Sequence, residues 1–226
     1  MTGRLTLVAA VLVTAVASSA PAATTTLAIT PNGYVPKTVT LNANPALVVF
    51  GGVSTLSGQL ATGQGNQKID IMALECGGQL AKLMTVTTTG GGAYGSTVQP
   101  LRNTTYESRF KSSISAQVLV KVRAKVTLRR LAPRRFRVTV VAGDSYSYAG
   151  RSVLFQRYNV AAGRWVTVRS ALLRAAAPLT GPVPPNSVST STFRASVKAG
   201  LRVRAYLTQT QAGTCYVGGP SRTIRS

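Results

Sequence analysis

The sequence contains no histidine, only four acidic residues and only two cysteines among 226 residues. Histidine is the commonest general base, so the Ser-His-Asp and Cys-His arrangements that activate a nucleophile cannot form in their usual way. Catalytic zinc also relies on histidine ligands, and neither cysteine has a second ligand nearby at metal-binding spacing. The sequence therefore predicts no metal site and no cofactor, and it predicts that the protein is not an enzyme.

The four acidic residues are too few and too scattered to predict paired-carboxylate chemistry. They are Asp70, Glu75, Glu107 and Asp144. Asp70 and Glu75 have opposite parity on a predicted strand, so their side chains would point to opposite faces. General acid and base roles need placed and tuned groups. The simpler interpretation is that all four carboxylates face solvent, and we predict no catalytic residues.

The sequence also lacks an apolar run long enough to cross a membrane, which takes about 20 helical residues. The apolar run over residues 5–16 is shorter, follows a positive charge and precedes small residues. These features are typical of a secretory signal peptide. Residues 20–22 fit the cleavage pattern, which places the mature start near Ala23. We predict a signal peptide over residues 1–22, no transmembrane segment, and a secreted protein that is extracellular or associated with the cell envelope.

What the rest of the chain does contain is a series of short runs rich in Val and Thr, separated by Gly and Pro. The first is TVTL at residues 38–41, and spacings of 8 to 12 residues are typical of a β-sandwich. In the run KIDIMAL, Ile69 and Ile71 share one face and polar residues share the other. The second half repeats this plan. The sequence therefore predicts an all-β fold with two tandem immunoglobulin-like β-sandwich domains, over residues 23–123 and 124–226.

Several of these runs carry a resemblance to a known kind of protein. They are VSTLSGQLATGQ, TTTGGGAYGSTVQPLRNTTYESRF, QVLVKVRAKVTLRRL, FQRYNVAAGRWVTVR and QAGTCYVGGPSRTIRS. The chain resembles tandem immunoglobulin-like or fibronectin type III-like domains of proteins secreted by high-GC bacteria. The resemblance implies this architecture, secretion, and an accessory, adhesive or unassigned role. It supplies no catalytic residues.

Positive charge is concentrated in the second half. Residues 23–123 hold eight Lys or Arg against three acidic residues, whereas residues 124–226 hold seventeen against Asp144 alone. A field of this strength favours anionic partners. For a secreted bacterial protein the available anions are cell-wall polymers, acidic polysaccharides, phospholipid headgroups and extracellular DNA.

The segment VLVKVRAKVTLRRLAPRRFRVTVV, residues 118–141, combines this charge with strand alternation and contains no acidic residue. We expect the last strand of the first domain to run directly into the first strand of the second near residues 123–125, with a turn at residues 132–135. The resulting hairpin would cluster five candidate anion-binding residues, which are Arg129, Arg130, Arg134, Arg135 and Arg137. The alternative is a solvated face whose cations discourage edge-to-edge aggregation.

Two further features bear on structure. Cys76 and Cys215 in an exported chain favour an intramolecular disulfide, with two free buried thiols or pairing between molecules as alternatives. Asn103-Thr104-Thr105 is a formal glycosylation sequon, which we interpret as a turn before a strand.

The aromatic residues Tyr106, Phe155, Tyr158 and Trp165 are predicted to pack in the core or half-buried rather than to form a ligand platform. No solvent-facing aromatic stripe is expected beside the charge.

Together these observations predict a secreted, non-catalytic binding or structural module. We expect its basic second domain to bind an anionic cell-wall polymer or acidic polysaccharide. The alternative is an adhesin that binds a surface protein through its loops, with the charge incidental. Extracellular nucleic acid is a lesser alternative, because no recognised binding motif is present.

Overall fold

The computed structural model describes residues 38–181 and 183–226, and the predicted signal peptide over residues 1–22 lies outside them. The described chain is all-β with one short helix, as the sequence predicts. In chain order, the strands of the first half are β1 (Asn42–Asn44), β2 (Leu47–Val49), β3 (Ser54–Gln59), β4 (Lys68–Glu75), β5 (Leu80–Thr87), β6 (Ala93–Val98), β7 (Thr104–Phe110), β8 (Ser113–Ile114) and β9 (Val118–Arg123).

The second half contains the remaining strands and the helix. They are β10 (Lys125–Ala132), β11 (Arg135–Gly143), β12 (Ser152–Asn159), β13 (Arg164–Leu172), β14 (Arg174–Ala176), β15 (Asn186–Arg194), β16 (Arg202–Leu207), α1 (Gln209–Ala212), β17 (Gly219–Pro220) and β18 (Ile224–Arg225).

The same strand order occurs twice. In the first half, β1-β3-β6 form one sheet and β5-β4-β7-β9-β2 form another, with β8 beside β7. In the second half, β10-β11-β15-β14 form one sheet and β13-β12-β16 form another, with β17 and β18 both paired to β16. The series β1-β3-β6 and β5-β4-β7 therefore correspond to β10-β11-β15 and β13-β12-β16. The repeat that the sequence suggests is present in the strand pairing.

Alternating apolar residues form the core of each half. Ile69 and Ile71 of β4 are buried as expected, and they share the first-half core with Leu56 of β3. In the second half, Phe136 of β11 and Phe155 of β12 lie with their ring centroids 4.8 Å apart. The inward positions of β10 and β11 are those that the alternation predicts. Most charged residues of these two strands lie on the outward side.

The two halves meet without a linker. Strand β9 ends at Arg123 and β10 begins at Lys125, with Ala124 buried between them. Within the described ranges, bridge pairing between the halves is limited to Arg123 with Val217. The predicted disulfide is present: Cys76 and Cys215 are bonded, with their Cα atoms 5.4 Å apart. Since Cys76 follows β4 and Cys215 follows α1, the disulfide joins the two halves.

Hydrogen bonds at Asn103 and Tyr216 reinforce this junction. Asn103 lies in the turn before β7, as predicted for the sequon, and its side-chain amide nitrogen donates to the Thr214 carbonyl at 3.0 Å. The buried Tyr216 hydroxyl donates to the Leu101 carbonyl at 2.7 Å and accepts from the Gly143 amide at 2.9 Å. Burial raises the pKa of Tyr216, which keeps the hydroxyl protonated and able to donate.

Candidate anion-binding surface

The β10–β11 hairpin places most of the predicted arginines at one end of the second half. Its turn lies at Pro133 and Arg134, and Arg134 adopts φ +59°. Because β10 starts beside Ala124 and runs to Ala132, this turn lies about 25 Å from the junction between the halves. The hairpin therefore presents its charge away from the first half.

Four of the five predicted arginines lie on the outer face or at the turn. Arg129 pairs directly with Arg137 across the hairpin, so their side chains share the outer face. Arg134 and Arg135 line a groove of about 510 Å³ beside the turn. All four side chains are exposed. The hairpin thus forms the like-charged cluster that the sequence predicts.

Arg130 lies on the opposite face of β10 from Arg129, although it lines a pocket together with Arg134. It lies opposite Phe136, whose ring is buried, so Arg130 is on the inward side of β10. There its Nη1 donates to the Ser226 carbonyl at 3.1 Å, next to a pocket of about 150 Å³ that Lys198 also lines. The alternation that places Val126 and Leu128 inward also predicts this position for Arg130.

A further arginine joins the cluster from a distant part of the sequence. Arg194 of β15 pairs with Arg135 of β11 and lines the same groove. Arg194 is not among the predicted residues, because only strand pairing brings β15 beside β11. We call the cluster the arginine end, defined as Arg129, Arg134, Arg135, Arg137 and Arg194.

The ion pairs of the described residues all lie in the first half. Among the described residues the ion pairs are Lys82 with Asp70 at 2.7 Å, Arg102 with Glu75 at 3.4 Å and Arg109 with Glu107 at 2.6 Å. The second half holds one carboxylate, Asp144, which follows β11 at the end opposite the hairpin turn. No side chain of the described chain therefore neutralises the arginine end.

The prediction that all four carboxylates face solvent is wrong for Glu107, which is buried. Its pKa lies below the usual range, chiefly because Gln117 donates a hydrogen bond to it; burial opposes this effect and Arg109 adds to it. The Asp70 pKa is also lowered, through hydrogen bonds from Lys82 and Thr85. Both carboxylates are therefore ionised and partnered near neutral pH.

A second charged surface lies on the outer face of the β13-β12-β16 sheet. Tyr158 pairs with Trp165 across β12 and β13, with ring centroids 5.3 Å apart. The Arg202 guanidinium lies over the Tyr158 ring at 4.1 Å, and that of Arg204 lies over the Trp165 ring at 4.2 Å. We call this surface the aromatic–arginine face, defined as Gln156, Tyr158, Trp165, Arg202, Arg204 and Tyr206.

This face corrects the expectation that no solvent-facing aromatic stripe accompanies the charge. Tyr106 and Phe155 are buried and Tyr158 and Trp165 are half-buried, as predicted, but the half-buried pair lies on the outer side of the sheet beside arginines. The arginines that stack on these rings belong to β16, which is distant from β12 in sequence and comes to lie beside it through strand pairing. No local sequence pattern could have shown this arrangement.

Two further observations concern residues 38–181 and 183–226. No group of three His, Cys, Asp or Glu side chains is placed to hold a metal ion. None of the helices in those ranges has the length and apolar character to cross a membrane.

Comparisons with known proteins add little. Protein-family models give no match, and curated proteins give none either. Among solved structures, the chain is similar to a purple acid phosphatase from seeds of yellow lupin (Lupinus luteus), with 13% identity and a TM-score of 0.36. The match covers 84% of this chain and 41% of the phosphatase chain. A likeness this weak supports no conclusion about activity.

Proposed function

We propose that the protein is a secreted, non-catalytic module whose arginine end binds anionic polymers of the cell envelope, such as cell-wall polymers or acidic polysaccharides. The observation that carries the proposal is the concentration, at one end of the second half, of arginines that have no acidic partner among the described residues. Secretion rests on the signal-peptide pattern of residues 1–22.

We further propose that the chain forms two tandem immunoglobulin-like β-sandwich domains, over residues 23–123 and 124–226. The repeated strand order supports this division, because two packed antiparallel sheets are the basis of such domains. The direct passage from β9 to β10 also supports it. The first domain would then hold the second at a fixed orientation, with the arginine end farthest from the junction.

Binding would follow from the chemistry of the guanidinium group. Arginine presents planar N–H donors that match carboxylate, sulfate and phosphate oxygens, often through two bonds at once. Arg129 and Arg137 repel each other across the hairpin, and an anion bound between them would relieve that repulsion. Such binding weakens as salt rises, because exposed charges are screened.

The test compares retention of residues 23–226 on isolated bacterial cell envelopes across a salt series, with heparin and duplex DNA as competitors. The variant Arg134→Gln/Arg135→Gln/Arg194→Gln removes three charges from the groove. Its matched control, Lys68→Gln/Lys111→Gln/Lys121→Gln, removes three exposed charges from the first half. We expect the groove variant to lose much more retention than the control, and heparin to compete better than duplex DNA.

Equal losses in the two variants would reduce the effect to net charge and overturn the assignment to the arginine end. Retention that does not change with salt concentration would favour the adhesin alternative. A cleft of about 370 Å³ with a mixed polar and apolar lining supports that alternative, since exposed Val49, Leu179 and Val183 line it and could contact a surface protein. Stronger competition by duplex DNA would favour nucleic acid instead.

A further inference from the structure

We propose that the aromatic–arginine face is a second binding site, separate from the arginine end, and that it takes an acidic polysaccharide chain. This inference rests on the proposed function only in taking the ligand to be a polyanion. The two surfaces belong to different sheets of the second half, because the arginine end lies on β10, β11 and β15 whereas this face lies on β12, β13 and β16. Each can therefore be altered without touching the other.

The guanidinium groups on this face are held in place yet remain free to bind. Arg204 Nε donates to Gln156 Oε1 at 2.9 Å while its guanidinium lies over the Trp165 ring. Within the described residues, no hydrogen bond uses the terminal nitrogens of Arg204 or any side-chain nitrogen of Arg202. Both side chains thus keep N–H groups that can donate to carboxylate or sulfate oxygens.

Stacking against the Tyr158 and Trp165 rings holds the Arg202 and Arg204 side chains in place before an anion binds. An arginine that is already fixed loses less side-chain entropy when it binds than a mobile one does. Partial burial lowers the pKa of Arg204, although the guanidinium stays protonated near neutral pH. No acidic residue occurs on β12, β13, β16 or β18, so an incoming anion meets no competing carboxylate from these strands.

The spacing of the cations favours a polymer over a single small ion. Arg202 and Arg204 are two residues apart on β16, which separates their Cα atoms by about 7 Å. Arg225 of β18 lies directly opposite Arg202 and extends the row across the sheet. A row of separate cations on an open face suits a ligand that carries an anionic group on successive units.

The arrangement of the rings argues against single-stranded nucleic acid. Proteins that bind single strands use aromatic rings on which bases stack. Here a guanidinium covers one face of each ring, and the two rings contact each other at an interplanar angle of 63°. A base that stacked on the covered face of either ring would have to displace an arginine, whereas a carboxylate or sulfate group can bind the arginines where they lie.

The test measures affinity for heparin and for a single-stranded oligothymidylate at constant salt. The central variant, Tyr158→Leu/Trp165→Leu, leaves the net charge unchanged. We expect it to weaken heparin binding about three- to tenfold, the effect of losing the cation–π contacts that hold the two arginines. Tyr158→Phe/Trp165→Phe keeps aromatic rings and should bind heparin nearly as the parent protein does. Thermal unfolding of each variant checks that it folds.

A second pair separates the arginines of this face from bulk charge. Arg202→Gln/Arg204→Gln should weaken heparin binding more than Lys68→Gln/Lys121→Gln, which removes the same charge elsewhere. Equal affinity of folded Tyr158→Leu/Trp165→Leu and parent protein would overturn the inference. A loss of oligothymidylate binding without a loss of heparin binding would overturn it too, in favour of nucleic acid. If Arg134→Gln/Arg135→Gln/Arg194→Gln has no effect while the aromatic variant does, the proposed function at the arginine end fails and this site stands.

Discussion

Asn103 is a single residue whose four polar groups bond to four different residues in three parts of the chain. Its backbone amide donates to the Cys215 carbonyl at 2.9 Å, and its carbonyl accepts from the Cys76 amide at 2.8 Å. Its side chain donates to the Thr214 carbonyl and accepts from the Val122 amide at 2.7 Å. Because its side chain bonds to both Thr214 and Val122, Asn103 has a structural role in the folded protein.

We predict that Asn103→Ala lowers the free energy of unfolding by about 1 to 3 kcal/mol, because it leaves the Val122 amide and the Thr214 carbonyl without partners. Chemical denaturation measures the change. Asn42→Ala, on the exposed strand β1, is the control and should change stability by less than about 0.5 kcal/mol. A similar small effect at Asn103 would mean that water replaces its amide at the junction.

Glu107 gives a pH dependence with a definite sign. Its folded-state pKa lies below the usual value of about 4.3, so its contribution to stability is present above that pH and is lost as pH falls through the folded-state pKa. We predict that the melting temperature falls on acidification below about pH 4 and that Glu107→Gln reduces the fall. Asp70→Asn should reduce it less, because the exposed pair of Asp70 with Lys82 is screened by solvent. Identical melting curves of Glu107→Gln and parent protein across this pH range would contradict the role given to Glu107.

At the scale of the strand, the arginines of the β10–β11 hairpin that we expect to bind anions also lower the stability of the fold. Arg129 and Arg137 lie directly opposite each other, and like charges in this position destabilise a sheet. We predict that Arg129→Gln and Arg137→Gln each stabilise the protein by about 0.2 to 1 kcal/mol at low salt. The double variant should gain less than the sum, because either substitution alone removes the repulsion.

Chemical denaturation of the four proteins in this cycle measures the coupling, and repetition at high salt should reduce it. Thr127→Gln is the control, since Thr127 faces Thr139 rather than an arginine. Additive effects would mean that the guanidinium groups avoid each other across the hairpin. Weaker heparin retention in the stabilised variants would link the repulsion to binding.

The longer strands could be predicted from the sequence because their alternation is local. Val138 and Val140 point inward in β11 as expected, and the hairpin turn lies where Pro133 suggests. The predicted strand at residues 38–41 is wrong: Val39 makes one isolated bridge, and β1 is the polar segment Asn42–Asn44. This short edge strand forms through pairing with β3 rather than through its own apolar pattern.

The candidate sites were predictable only in part, for the same reason. Four members of the arginine end lie within one hairpin, so local sequence identifies them. Arg194 and the arginines of β16 gain their neighbours from strand order, which the sequence of a single chain does not specify. Arg130 is predicted to join the cluster because it lies in the same hairpin. Strict alternation along β10, applied to the sequence, would have placed it on the inward side of the strand instead.

At the scale of the whole molecule, the Cys76–Cys215 disulfide ties together two halves that share little strand pairing. The bond spans 139 residues of sequence, so in the unfolded chain it restricts a long loop. We predict that Cys76→Ser/Cys215→Ser lowers the free energy of unfolding by up to about 5 kcal/mol on the chain-entropy estimate. The unfolding midpoint in denaturant, compared with that of the oxidised parent, measures the loss, and the parent under reducing conditions should match the variant.

Removal of the disulfide should lower stability without weakening the binding of heparin. The arginine end lies about 25 Å along β10 from the junction, so removal of the disulfide leaves its groove intact. We therefore expect Cys76→Ser/Cys215→Ser to retain heparin affinity under conditions where it is folded, while Arg134→Gln/Arg135→Gln/Arg194→Gln retains stability and loses affinity. If loss of the disulfide also weakened heparin binding, the orientation of the two halves would have to contribute to the site. The first half would then take part in binding rather than only support the second.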